Sequence, residues 1–262
     1  MTLLGLPSAQ AEQPIFDEMP RWSDGWGVQI LQEFQTKQEQ NQAADAGYDS
    51  ASEYIHLTHV QGVYTWDKSI RMTAKVPFVV FAERTVEGAG TTPVSYQDQG
   101  LGDVQLALPL KHYFNLDGRS GSWTLAPQMR IPGGSDDEYD VYRRHWAGGL
   151  YAGYETETFR YHIGGGLSGW FEEGESPYSS VLTFQVGMNY QIGDMNGYVK
   201  LKQYGKYRQD YGLSYAMGPS IYLRISDTFH GQIQTSHDVV SKRFGQKTGR
   251  DDSYRIGIGF VY

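Results

Sequence analysis

The chain has 262 residues, 39% hydrophobic and 14% aromatic, with 32 glycines, 20 tyrosines and no cysteine. That apolar share lies below the about 45–50% of ordinary globular domains, and no run approaches the roughly 18 apolar residues of a membrane-spanning helix. A formal net charge of -8 offers no basic footprint for nucleic acid, and the lack of cysteine removes thiolate metal sites and cysteine nucleophiles.

The first residues, MTLLGLPSAQA (Met1 to Ala11), read as the remnant of a secretory signal peptide: an apolar run, a proline, then Ala9-Gln10-Ala11 in the small-x-small cleavage pattern. Residues 12–262 read as a single domain. From Trp26 to Tyr262 the dominant signal is strict alternation of apolar and polar residues, the mark of strands with one greasy and one wet face. Strands are expected to begin near Gly25, Tyr54, Ser69, Gly100, Gly121, Arg144, Phe159, Ser180, Met195, Tyr211, Thr228 and Ser253. These make about 12 strands of roughly 10 to 14 residues, long enough to cross a bilayer when tilted.

The connections alternate in length. Tight ones fall around Asp67, at Asn115 to Ser120, around Thr156, at Gly193 to Asn196 and at Ser226 with Asp227. Long ones fall at Lys37 to Glu53, Ala82 to Gln99, Pro132 to Arg143 and Asp238 to Asp252. Short periplasmic turns and long extracellular loops are the layout of an outer-membrane barrel.

Orientation follows from size. In GSWTLAPQMRI, FRYHIGGGLSGWF and VLTFQVGMNYQI, one face carries Leu, Ile, Phe and Met while the other carries Gln, Thr, Gly and Arg. A cylinder of about 12 strands is too wide for its apolar set to fill from within, so the apolar face is expected to meet lipid. The fold class is therefore all-β: an antiparallel transmembrane β-barrel of the outer-membrane type, placed in the bacterial outer membrane. Trp22, Trp26, Trp66, Trp123, Trp146, Tyr154, Tyr190, Tyr222 and Tyr262 are expected in the interfacial girdles.

GLGDVQLALPLKHYF, from Gly100 to Phe114, resembles a recurring strand of the outer-membrane channels of the phenol-degradation (meta-pathway) type, with Gly100, Gly102 and Asp103 in the family's Gly-x-Gly-Asp turn. RIPGG (Arg130 to Gly134) and the terminal IGIGFVY are similar in style. The resemblance implies a barrel for uptake of small, often aromatic or hydrophobic compounds.

Alternation directs Arg71, Lys75, Lys111, Arg130, Arg160, Lys200, Lys202, Arg224 and Arg255 inward, against Glu33, Asp103 and Glu155. A basic pore lining concentrates anions, although the same groups could fill the lumen through salt bridges. Tyr113, Tyr151, Tyr198, Tyr204 and Trp170 share the inward face and could stack on aromatic solutes. Asp136, Asp137, Glu138 and Asp140, and likewise Glu172, Glu173 and Glu175, read as solvated outer loops without EF-hand spacing.

Neither a catalytic step nor a cofactor nor a metal is expected. His-x-Ser, which a barrel phospholipase would need, does not occur, and His56 and His59 lie on opposite faces of one strand. The expected partners are outer-membrane lipid and lipopolysaccharide, a small-molecule solute and, during biogenesis, the barrel assembly machinery; a monomer is expected. The alternatives are a barrel enzyme acting on lipids and a structural or adhesive barrel.

Overall fold

A computed structural model of the chain describes residues 19, 22, 24–41, 49–88, 92–116, 119–133, 141–142, 145–157, 161–173, 178–192, 195–208, 212–243 and 247–262. Period-two patterning gives strands only, and no helix occurs among the described residues. The strand segments are β1 (Gly25–Asn41), β2 (Ser50–Thr65), β3 (Arg71–Glu87), β4 (Val94–Leu101), β5 (Val104–Ala107), β6 (Leu110–Leu116), β7 (Arg119–Ile131), β8 (Ala147–Glu157), β9 (Tyr161–Glu172), β10 (Tyr178–Ile192), β11 (Met195–Arg208), β12 (Gly212–Arg224), β13 (Phe229–Arg243) and β14 (Lys247–Val261).

Apart from β4, β5 and β6, neighbours in sequence pair antiparallel, and β1 pairs with both β2 and β14, so the sheet closes on itself. Segments β4, β5 and β6 make one interrupted stave: β4 and β5 pair with β3, while β5 and β6 pair with β7. The 14 segments are thus twelve staves, a closed antiparallel barrel. The first interruption lies where Gly100 takes φ +134°, a conformation open to glycine, and the Gly102 N–H donates to the Pro77 carbonyl at 2.8 Å. The second lies at Leu108 and Pro109, where proline has no N–H to give to a ladder.

The barrel is inside out relative to a soluble one. On β10 the side chains of Leu182, Phe184, Val186 and Met188 are exposed outward, whereas Thr183 and Gln185 are buried on the inner side. On β14 the exposed set is Tyr254, Ile256, Ile258 and Phe260. Such a surface is stable in hydrocarbon, where closure leaves no strand edge unpaired.

Tight turns gather at one end, called here the turn end. There the Asp67 carboxylate accepts from the N–H groups of Ser69 and Ile70, and the Ser226 hydroxyl accepts from those of Thr228 and Phe229. At the opposite, loop end the ladders run further than apolar patterning predicts. β1 extends to Asn41, β2 begins at Ser50, β3 reaches Glu87 and β14 starts at Lys247. The segments expected as long loops at Lys37 to Glu53, Ala82 to Gln99 and Asp238 to Asp252 are therefore largely paired strand standing above the apolar band, whereas the described residues of Pro132 to Arg143 hold no strand.

Two aromatics leave the expected girdles. Trp22 packs inside the turn end against Gly27, and Tyr222 is buried on the inner wall, stacked on Tyr198 at 4.7 Å between centroids. Trp26, Trp66, Trp123, Trp146 and Tyr154 are exposed on the outside, as interfacial rings should be. The side chain of Tyr190 lies outside the described residues.

Candidate functional site

The inner wall carries the chemistry, and its side chains sort by height. At the turn end, Arg71 is wholly buried: its Nε donates to the Thr65 hydroxyl at 3.3 Å and its Nη1 to the Met19 carbonyl at 3.2 Å. The guanidinium stands 4.3 Å from the centroid of the Trp22 ring. Met19 and Trp22, upstream of β1, thus sit in the mouth of the cylinder, a contact that alternation within strands cannot announce.

Mid-height, Glu33 on β1 receives the His59 ring from β2 at 2.7 Å and forms an ion pair with Arg255 on β14 at 2.9 Å. Gln35 Nε2 donates to the same carboxylate at 2.8 Å, and Lys75 on β3 shares its field. Nearer the turn end of the facing wall, Lys111 pairs with Glu155 at 2.5 Å, Gln185 donates to it at 3.2 Å and His162 approaches it at 3.9 Å. Lys200 adds a further charge here, with its ammonium 4.3 Å from the Tyr198 ring. On the neighbouring staves Lys202 donates to Gln234 at 3.3 Å, and Gln234 in turn donates to the Tyr204 hydroxyl at 3.1 Å.

Towards the loop end, Arg130 pairs with Glu172 at 3.3 Å and lies 5.1 Å from the Trp170 ring centroid. Glu53 faces Lys37 at 3.1 Å and Arg84 at 3.7 Å. Val141 and Tyr142, which lie between β7 and β8, are buried against Ile55, Leu57, Val79 and Ala82. Two carboxylates on the interrupted stave hold the chain there: Asp98 accepts from the Val141 N–H at 2.9 Å and Asp103 from the Gly133 N–H at 3.2 Å. Gly102 provides the seat for Tyr142, because a Cβ there would stand 2.3 Å from its ring.

Most of the residues read as pore-lining therefore face the lumen: Arg71, Lys75, Lys111, Arg130, Trp170, Lys200, Lys202, Arg255, Glu33 and Asp103. Four aromatics with them, Tyr151, Tyr198, Tyr204 and Tyr222, line the same wall, and Tyr151 lies over Gly153 and Gly166. Arg224, opposite the buried His230 of β13, stands exposed at the turn-end rim and is bound to Asp227 at 2.7 Å. Tyr113 stands at the same rim, 43% exposed, with its hydroxyl on the Lys68 carbonyl. Arg160 and the acidic run Asp136, Asp137, Glu138 and Asp140 lie outside the described residues.

Glu172 is a correction. Read as a loop acid, it ends the inward series His162, Gly164, Ser168, Trp170 and meets Arg130. Continuing the alternation by one more step would have found it. Glu53 and Asp98 were missed for a different reason: both sit on strand extensions where apolar patterning has ended.

No family model matches the sequence, and no curated protein matches it. Solved structures do. The COG4313 outer membrane channel from Pseudomonas putida F1 aligns over 96% of this chain and 99% of that one, with a TM-score of 0.61 at 14% identity. The translocator domain of the autotransporter NalP from Neisseria meningitidis covers 95% of this chain and 92% of its own, with a TM-score of 0.50 at 9% identity. This chain thus has the outer-membrane barrel fold. Because a channel and a translocator share that fold, function has to be argued from the inner wall.

Among the described residues no histidine ring is hydrogen-bonded to a hydroxyl: His56, His59, His230 and His237 meet Gln32, Glu33, Gln29 and Asp252. A serine nucleophile activated by histidine is not assembled there. No group of three or more metal-ligating side chains occurs among the described residues either.

Proposed function

We propose that the protein is a narrow outer-membrane channel for passive uptake of small solutes, favouring anionic compounds that carry an aromatic or hydrophobic body. The observation that carries this reading is the lumen wall formed by β6 to β11. There the cations Lys111, Lys200, Lys202 and Arg130 share the surface with the rings of Trp170, Tyr151 and Tyr204.

Glu155 and Glu172 offset part of that charge, through Lys111 and Arg130. The same wall holds buried polar atoms with no hydrogen-bond partner among the described residues: Gln128 Nε2, Ser168 Oγ, Trp170 Nε1 and Thr183 Oγ1. Groups of this kind call for water or for the oxygens of a passing solute, since an orphaned buried donor costs about 1–3 kcal/mol. A carboxylate on an aromatic ring would meet both needs, through its oxygens and its face.

The test is transport. Purified protein in planar bilayers is expected to conduct with small unit conductance and anion preference, and Arg130→Glu with Lys202→Glu is expected to move the reversal potential towards cations. Liposomes should admit benzoate faster than benzylammonium. A silent barrel, or a reversal potential indifferent to both charge inversions, would overturn the proposal.

A further inference from the structure

One patch of the outer surface breaks the apolar rule. On the lipid-facing side of β1 and β2, the Gln32 Oε1 accepts from His56 Nε2 at 2.9 Å and from the Thr58 hydroxyl at 3.0 Å. The Phe34 ring stacks on His56, with centroids 4.4 Å apart. Gln32 is the third outward residue above the exposed Trp26, after Val28 and Ile30. That places it about 15 Å up an apolar band about 25 Å tall.

The three residues satisfy one another only in part. Both bonds converge on the amide oxygen, so the Gln32 NH2 group keeps two donors with no partner among the described residues. With Nε2 donating, the second ring nitrogen of His56 is a bare acceptor. Hydrocarbon supplies no water to satisfy either, and such groups are costly unless another protein surface meets them. Another outward amide, Gln203, has an aromatic partner at the rim in the Tyr215 hydroxyl, at 2.5 Å. Beside the patch, Gly62 pairs with Val28 and has open space where a Cβ would stand, which leaves a notch for close approach.

We propose that the outer face of β1 and β2 is the interface of a homodimer. A patch that holds a free donor and a free acceptor side by side is self-complementary about a two-fold axis: the Gln32 amide of each copy donates to His56 of the other. No third chemical species is required, and the monomer expected from sequence gives way to a pair of barrels in one membrane.

The chain has no cysteine, so single cysteines report contacts cleanly. In lipid bilayers Val60→Cys, on this face, is expected to form a disulfide-linked dimer on mild oxidation. Phe184→Cys, on β10 and six staves round the ring from β2, is expected to give none. Gln32→Leu combined with His56→Leu makes the face more apolar, so the barrel itself should insert normally. That variant is expected to lower the cross-linked fraction at least tenfold while conductance per barrel is unchanged. Equal cross-linking at positions 60 and 184, a uniformly monomeric mass in nanodiscs, or a dimer fraction indifferent to the double substitution would each overturn the interface.

Discussion

The carboxylate of Glu33 sits between His59 and Arg255, 2.7 Å from the imidazole Nε2 and 2.9 Å from the guanidinium Nε. It joins three consecutive staves, β14, β1 and β2, at mid-height of the lumen. With Glu33 only 1% exposed, this is a charge that must be compensated where it stands.

Glu33→Gln should therefore remove a counter-charge that Arg255 and Lys75 share. The expected cost is about 3–5 kcal/mol, the range for breaking a buried pair from one side. Equilibrium urea unfolding from lipid vesicles would measure it. Reversal potential in the same preparation should move towards anions; movement towards cations would contradict the assigned pairing.

The inward fold of Val141 and Tyr142 is expected to restrict flow at the loop end. Gly102→Ala places a methyl 2.3 Å from the Tyr142 ring, so the ring has to leave. Single-channel conductance should rise, and Tyr142→Ala should raise it similarly. Asp98→Ala, which removes the acceptor of the Val141 N–H, should act in the same direction.

At the turn end, Arg71 holds Met19 and Trp22 through one carbonyl bond and one ring face. Arg71→Met keeps the volume but loses both interactions. Quenching of Trp22 fluorescence by a soluble quencher should increase, in a background where the other tryptophans are replaced by phenylalanine. Unchanged quenching would show that the segment is held by something other than Arg71.

Side-chain orientation can be tested by thermodynamics as well as by probes. Ile256→Arg puts a cation on the lipid face of β14 and should cost about 2–4 kcal/mol in refolding equilibria, whereas Gln185→Arg on the inner wall of β10 should cost far less. Similar costs at both positions would invert the assignment of faces.

How much of this was legible beforehand differs from element to element. The lipid faces of β7, β9, β10 and β14 follow directly from alternation, because their outward residues are Trp, Leu, Ile and Phe against inward Thr, Gln, Gly and Ser. The upper half of β1, TKQEQN, carries no such contrast. Above the membrane both faces meet water, so pairing leaves no apolar mark and the strand reads as loop. The bulge opposite His56 and Leu57, where Val80 is unpaired with β2, also has no sequence signal, since Val79, Val80 and Phe81 are equally apolar.

Aromatic residues near strand ends were ambiguous for a related reason. A tyrosine at a rim suits a headgroup as well as an inner wall, and the face of its neighbours decides. Tyr222 shares its face with buried Ser220, which points it inward. Tyr142 and Trp22 belong to no strand, so their positions depend on tertiary contacts that local pattern does not encode.

Trp26 and Tyr262 exchange backbone hydrogen bonds at 3.0 and 2.7 Å, tying the opening stave to the closing one. A seam between the first and last staves cannot be sewn until the last stave has left the ribosome. Until then the chain carries two raw strand edges, which invite pairing with other chains. Contacts of such long sequence separation also make closure intrinsically slow.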